Sequence, residues 1–172
     1  MSTIERERET QVPAYRVGLG SAGTPMTVEE FDTLEEEDCD ELYRYELING
    51  VLVVAPIPSE MEGDPNEELG RLLRNYGEDH PEGSALNATL AERYILTNNR
   101  RRADRVIWAG LGRMPKPRQD MPTIAVEFVS PGKRNWLRDY VEKRQEYLEA
   151  GVREYWVIDR FQKIMTVYRA DE

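Results

Sequence analysis

Pro122-Thr-Ile-Ala-Val-Glu-Phe-Val-Ser-Pro131 is the stretch on which the reading of this chain turns. Between the two prolines, every residue except Glu127 is apolar or small enough for a buried strand. Strand side chains alternate faces, so Ala125, Glu127 and Val129 share one face and Ile124, Val126 and Phe128 the other. A nearly continuous apolar run of this length predicts a central strand covered on both sides. A carboxylate left unpaired there would be driven to its protonated form. Glu127 therefore requires a cation, either a metal ion or a Lys or Arg, and the rest of the chain must bring it.

On the N-terminal side, Ala103-Asp-Arg-Val-Ile-Trp-Ala109 reads as a second short strand with a carboxylate at its start, joined to the first by a basic Gly/Pro-rich loop over 110–119. If the two strands pair, Asp104 and Glu127 converge at one end of the sheet. Two such carboxylates, with water and substrate phosphate, suit Mg²⁺, which can activate a bound water and neutralise charge on phosphorus. On the C-terminal side, Asn135 is the expected cap of a helix running to about Ala150, with Gly151 as its stop. Leu137, Tyr140, Val141, Tyr147 and Leu148 form its apolar stripe. Lys143 falls at the border of that stripe, its stem covered and its ammonium free to reach the sheet. Asp139, one turn earlier, is placed to orient it. The same three residues also admit a reading without chemistry, in which Glu127 and Lys143 are a buried ion pair.

The remaining chain fits one domain over residues 26–172, preceded by a flexible arm over 1–25 that is rich in alternating charge and then in Gly and Pro. Thr27-Val-Glu-Glu30 is a capping box opening a short helix with Phe31 and Leu34 inward. Tyr43 to Ala55 is a hairpin turned by Asn49-Gly50. A helix follows over about 66–76, with Leu69, Leu72, Leu73 and Tyr76 at helical spacing. Strands are expected over 86–96, 103–109, 154–159 and 164–168. This order gives a mixed α/β or α+β sandwich.

The 172 residues carry a net charge of −10, which excludes a general nucleic-acid coat. The charge is uneven: residues 1–98 carry a balance of −15 and residues 99–172 one of +5. Arg100, Arg101, Arg102 and Arg105, with the basic loop at Arg113–Arg118, are the candidate phosphate-facing surface. Cys39 and His80 are single residues of their kind and define no zinc site. No apolar run approaches a membrane span and no signal core opens the chain, so a cytoplasmic protein without a membrane partner is expected.

Asp104, Glu127-Phe-Val-Ser-Pro131, Asp139-Tyr-Val-Glu-Lys143, Tyr147 and Gly151-Val-Arg-Glu-Tyr-Trp-Val-Ile-Asp159 together resemble the Uma family of restriction-endonuclease-like bacterial proteins, in the PD-(D/E)xK nuclease superfamily. Tyr45-Glu-Leu-Ile-Asn-Gly50 and Met26-Thr-Val-Glu-Glu-Phe31 fit the family's opening hairpin and the helix before it. The resemblance implies a restriction-endonuclease-like core in which Asp104 and Glu127 bind the metal, with Glu46 either an additional carboxylate at the site or a structural residue of the hairpin. The superfamily's usual lysine would fall at Val129; in the Uma family that position is apolar, and the helix lysine, here Lys143, takes its role. Two positions depart from the pattern. Ala103 replaces the proline before the Asp, and Ser59 to Glu68 lacks the histidine usual at the start of the helix after the hairpin.

The function these readings imply is metal-dependent hydrolysis of DNA phosphodiester bonds, with Mg²⁺ as cofactor and Mn²⁺ as a substitute. Net acidity predicts weak or transient DNA binding, and a homodimer would supply one site per strand. A catalytically silent interaction module is the alternative, and a phosphohydrolase acting on small nucleotides is a third reading.

Overall fold

The structure, a computed structural model, describes residues 17–170, and at Glu60, Met61 and Glu62 the backbone alone. Helix α1 (Val28–Asp32) starts as its sequence predicts. The Thr27 hydroxyl accepts from the Glu30 amide at 3.1 Å, and the Glu30 carboxylate accepts from the Thr27 amide at 2.8 Å. Strands β1 (Tyr43–Ile48) and β2 (Val51–Pro56) form the hairpin, with Asn49 and Gly50 at φ of 52° and 73°. Those positive values suit the twist of a tight two-residue turn. Leu47 and Leu52 pair across it and are fully buried, each contributing about 1.5–3 kcal/mol of transfer free energy.

Of the expected arm, residues 1–16 lie outside the described residues, whereas 17–25 is docked on the hairpin. Val17 is buried and bridges to Cys39, Pro25 bridges to Val51, and the Gly23 amide donates to Leu52 O. Val17 packs with Phe31, Tyr45 and Leu52 in one apolar cluster, which favours docking of this segment.

Helix α2 (Glu60–Asp79) is longer than the sequence pattern suggests and carries Pro65 inside it, at the cost of one backbone hydrogen bond. Its inward face differs too. Asn66 and Gly70 are buried, while Leu72 and Tyr76 are half exposed. The reason is Arg105, whose guanidinium packs under the helix. A Cβ at position 70 would stand 2.5 Å from its Nη2, so only glycine allows that approach.

The main sheet has five strands in spatial order: β3 (Leu86–Tyr94), β4 (Arg102–Ala109), β5 (Ile124–Phe128), β6 (Glu154–Asp159) and β7 (Ile164–Arg169). All neighbours are antiparallel except β5 and β6. Such a parallel pair needs a crossover, here a helical run of α3 (Lys133–Leu137), a π turn (Arg138–Glu142) and α4 (Lys143–Glu149). The run begins two residues before Asn135, whose side-chain amide bonds back to Pro131 O at 2.7 Å rather than capping. It stops at Gly151, at φ 104°.

The π turn keeps Tyr140, Tyr147 and Leu148 of the expected apolar stripe against the core but turns its other two members out. Leu137 and Val141 are exposed, and Asp139, Lys143 and Tyr147 face the sheet. Residues four apart drift around a regular helix. One wider turn restores the alignment, as π turns often do at functional sites. Among the described residues, no helix is long and apolar enough to cross a membrane. The mixed α+β class is therefore as expected.

Candidate active site

Strands β4 and β5 bring the two predicted carboxylates together. Arg105 pairs with Val126, and continuing that register by one residue sets Asp104 against Glu127 on the face covered by α4. The Asp104 Oδ2 accepts the Phe128 amide at 2.8 Å, pinning the carboxylate where the β4–β5 pairing ends. Its side chain remains about one-fifth exposed, with Oδ1 turned toward Arg44 at 4.0 Å.

Glu127 is almost fully buried. Its Oε2 lies 2.7 Å from Lys143 Nζ, and its Oε1 accepts from the Tyr147 hydroxyl at 3.3 Å. Burial pushes the Glu127 carboxyl well above the usual range; Lys143 opposes this, and Asp104 and Asp139 add to it. For Lys143, burial alone would lower the ammonium. Glu127, Glu46, Asp104 and Asp139 outweigh it, and the group is held above its ordinary value.

Glu46 reaches this corner from the hairpin, yet its Oε1 accepts from the Arg102 amide at 2.7 Å. That bond fixes the start of β4, and the carboxylate also acts on Lys143 through its field. Asp139 does not touch Lys143 by hydrogen bond. Its carboxylate is gripped by Arg138 at 2.8 Å, and its backbone carbonyl accepts from the Tyr155 hydroxyl. The expected orienting role is therefore limited to electrostatics.

Of the expected arginine surface, Arg100 to Arg105 are largely engaged within the fold, whereas Arg113, Lys116 and Arg118 of the second loop stay exposed. Arg100 makes a bidentate pair with Asp32 at 2.8 and 2.7 Å. Arg101 is buried against Glu146 and Glu142. Arg102 lies beside Glu92 and over the Tyr94 ring. Arg105 is buried under α2, donating to Asn66 Oδ1 at 2.7 Å and to Asn66 O at 2.8 Å. Arg113, in the second basic loop, is held by Asp120. The acidic first half supplies Asp32 and Glu92 among these partners, so the uneven charge is partly spent inside the fold.

A cleft opens beside Asp104, lined also by Arg44, Asn66, Glu92, Ser130 and Arg160. Glu127 and Lys143 are buried and do not line it. Three of these lining residues carry no signal in the sequence taken segment by segment. Asn66 ties α2 to the site by donating to Asp104 O at 2.6 Å. Glu92 lies between the pairs Ala91–Arg105 and Arg93–Ala103, hence across from Asp104, with φ of 52°. Arg44 bridges Glu92 and Asp104. Laying β3, β4 and β5 in register is the one signal that reveals the row Glu92, Asp104, Glu127.

Among the described residues, no group of three or more Asp, Glu, His or Cys side chains is gathered to hold a metal ion by itself. Two carboxylates stand on adjacent strands, Asp104 lining the open cleft and Glu127 buried behind it with its oxygens engaged by Lys143 and Tyr147. Mg²⁺ takes one or two carboxylates and fills its remaining positions with water and substrate phosphate, and Asp104 is the one of the two that reaches the cleft.

The model of the Uma2 family, described as "Putative restriction endonuclease", matches residues 28–172. The structure is similar to the crystal structure of a putative nuclease belonging to DUF820 from Anabaena variabilis, with a TM-score of 0.63 and 18% sequence identity, over 86% of this chain and 82% of that one. At that identity the likeness is one of fold. No curated protein matches the chain.

Proposed function

We propose that this chain, which belongs to the Uma2 family described as putative restriction endonucleases, is a metal-dependent nuclease that hydrolyses DNA phosphodiester bonds. The observation that carries this reading is the placement of Asp104 across from Glu127 beside the cleft, with the Lys143 ammonium 2.7 Å from Glu127. Asp104 and Glu127 would hold Mg²⁺, or Mn²⁺ in its place. When bound, such an ion supplies Lewis acidity and lowers the pKa of a coordinated water.

The chain's own groups then divide the work. Lys143 is held in its charged form, so it serves as a donor and a fixed positive charge, not as a base. Tyr147 and Lys143 together keep the Glu127 carboxylate aimed, and the Phe128 amide does the same for Asp104. Glu46 fixes β4 through the Arg102 amide. With a net charge of −10, contact with DNA is weak or transient, and a pair of chains would cut two strands.

A second reading is favoured by one observation. The Glu127–Lys143 pair is already closed and buried, so it satisfies both charges with no metal. In that reading the chain is a silent member of its family that binds a protein partner. Thermal unfolding in Mg²⁺ and Mn²⁺ separates the two. A metal site raises the melting temperature with metal concentration, and Asp104→Asn loses the rise. A melting temperature that metal leaves unmoved overturns the nuclease.

A further inference from the structure

Arg44 differs from Arg100, Arg101, Arg102, Arg105 and Arg113. Those are clamped by short bonds, at 2.7–2.8 Å for Arg100, Arg101, Arg105 and Arg113, or lie packed on a ring, as Arg102 does. Arg44 projects from β1 into the cleft, 28% exposed. Its Nη1 lies 3.4 Å from both Glu92 oxygens and 4.0 Å from Asp104 Oδ1. Among the described residues, only that one nitrogen of its fork is engaged. The remaining donors are therefore available at the mouth of the site.

A guanidinium is the side chain whose planar fork matches two phosphate oxygens at once. Here it stands on a paired strand, beside the carboxylate proposed to hold the metal, where Arg100, Arg101, Arg102 and Arg105 are already spent on the fold. Its partner is also unusual. Glu92 adopts a left-handed backbone conformation within a strand, which an L-residue with a long side chain rarely takes. Such an outlier points to function when surrounding structure holds it in place. β3 holds Glu92 on both sides, through Ala91–Arg105 and Arg93–Ala103. The result is a carboxylate aimed at Arg44 across the cleft.

We infer that Arg44 is the phosphate-binding residue of this site, and that Glu92 holds its guanidinium in place until a phosphodiester replaces the carboxylate. This rests on the nuclease reading above. The exchange breaks long contacts and forms a charge-assisted pair, so it costs little and leaves Glu92 with Arg102.

The test is steady-state cleavage of a fluorescein-labelled duplex DNA by the full chain in Mn²⁺, as a function of salt. Arg44→Ala is expected to raise KM about tenfold or more, and to flatten the salt dependence of log KM by about one phosphate contact. Arg44→Lys should recover the charge and the salt slope but only part of the KM. Glu92→Gln, which loosens the grip on Arg44, should lower KM. These two variants keep the test valid if Arg44→Ala fails to fold. A folded Arg44→Ala with wild-type KM and salt slope, or Glu92→Gln with raised KM and unchanged salt slope, overturns the proposal and leaves the nuclease standing. A wild type that cleaves nothing overturns both.

Discussion

Lys143 Nζ and Glu127 Oε2 are 2.7 Å apart, with side chains only 6% and 2% exposed. Removing one partner of such a pair strands the other charge in the core, at a cost of about 3–5 kcal/mol. Lys143→Met should therefore lower unfolding free energy by that amount in urea. The double variant Lys143→Met/Glu127→Leu should recover most of the loss, since replacing a whole buried pair by apolar groups is often neutral or stabilising. Equal losses in single and double variants would contradict the coupling.

Two glycines of α2 should respond oppositely to alanine. Each gains about 1 kcal/mol of helix propensity. At Gly77 the new Cβ meets Leu86 Cδ2 at 3.4 Å, an ordinary contact, so Gly77→Ala should stabilise by up to that amount. At Gly70 the Cβ would lie 2.5 Å from Arg105 Nη2 and displace a guanidinium bonded to Asn66. Bonds to a charged group are worth about 1.5–3 kcal/mol each, so Gly70→Ala should be destabilising on balance. Urea midpoints of the two variants give the comparison.

Arg101 offers a check on where the basic residues act. It is buried, with Nε 2.8 Å from Glu146 Oε2. Arg101→Ala should cost about 2–4 kcal/mol of stability by leaving Glu146 short of its partner. It should leave the salt slope of DNA cleavage unchanged in the fraction that remains folded. A reduced slope would mean that this guanidinium reaches phosphate.

The hairpin that carries Arg44 and Glu46 is tied to the main sheet by the Tyr94 hydroxyl, which donates to Tyr45 O at 2.9 Å. Burial pushes this phenol up to about 12, with Arg102 opposing. A raised folded value means the unfolded chain ionises first. The stability Tyr94 contributes is thus whole below about pH 10 and is lost as pH rises toward 12. Relative to Tyr94→Phe, the wild type should lose up to about 2–3 kcal/mol across that window. Urea unfolding of both proteins at several alkaline pH values measures the difference.

Much of this arrangement is legible in the amino-acid sequence. The Thr27 box and the Asn49-Gly50 turn act through residues adjacent in the chain, and both stand where local chemistry puts them. The β5 strand is equally plain, because a carboxylate inside an apolar run demands a cation and Lys143 is there. What is not legible depends on contacts between distant segments. Leu137 and Val141 look inward by helical spacing, but one π turn rotates them out and brings Asp139 and Lys143 in. Arg100, Arg101 and Arg105 look like a phosphate-facing surface, yet Asp32, Glu146 and Asn66 reach them from 68, 45 and 39 residues away. Glu92 and Arg44 carry no local signal at all. Only strand register shows that one faces Asp104 and the other bridges them.

The most direct test of nuclease activity at Asp104 and Glu127 is cleavage of single- and double-stranded DNA by the full chain in Mg²⁺ and in Mn²⁺, beside Asp104→Asn. The asparagine keeps the size of the side chain and an oxygen for the Phe128 amide, so the fold should survive, as its unfolding curve will show. Wild-type products should require the metal and disappear in EDTA. Their rate should fall by at least about a hundredfold with Asp104→Asn, the loss expected when one preorganised electrostatic group is removed. Cleavage that persists undiminished in a folded Asp104→Asn, or no cleavage by the wild type in either metal, would contradict the assignment.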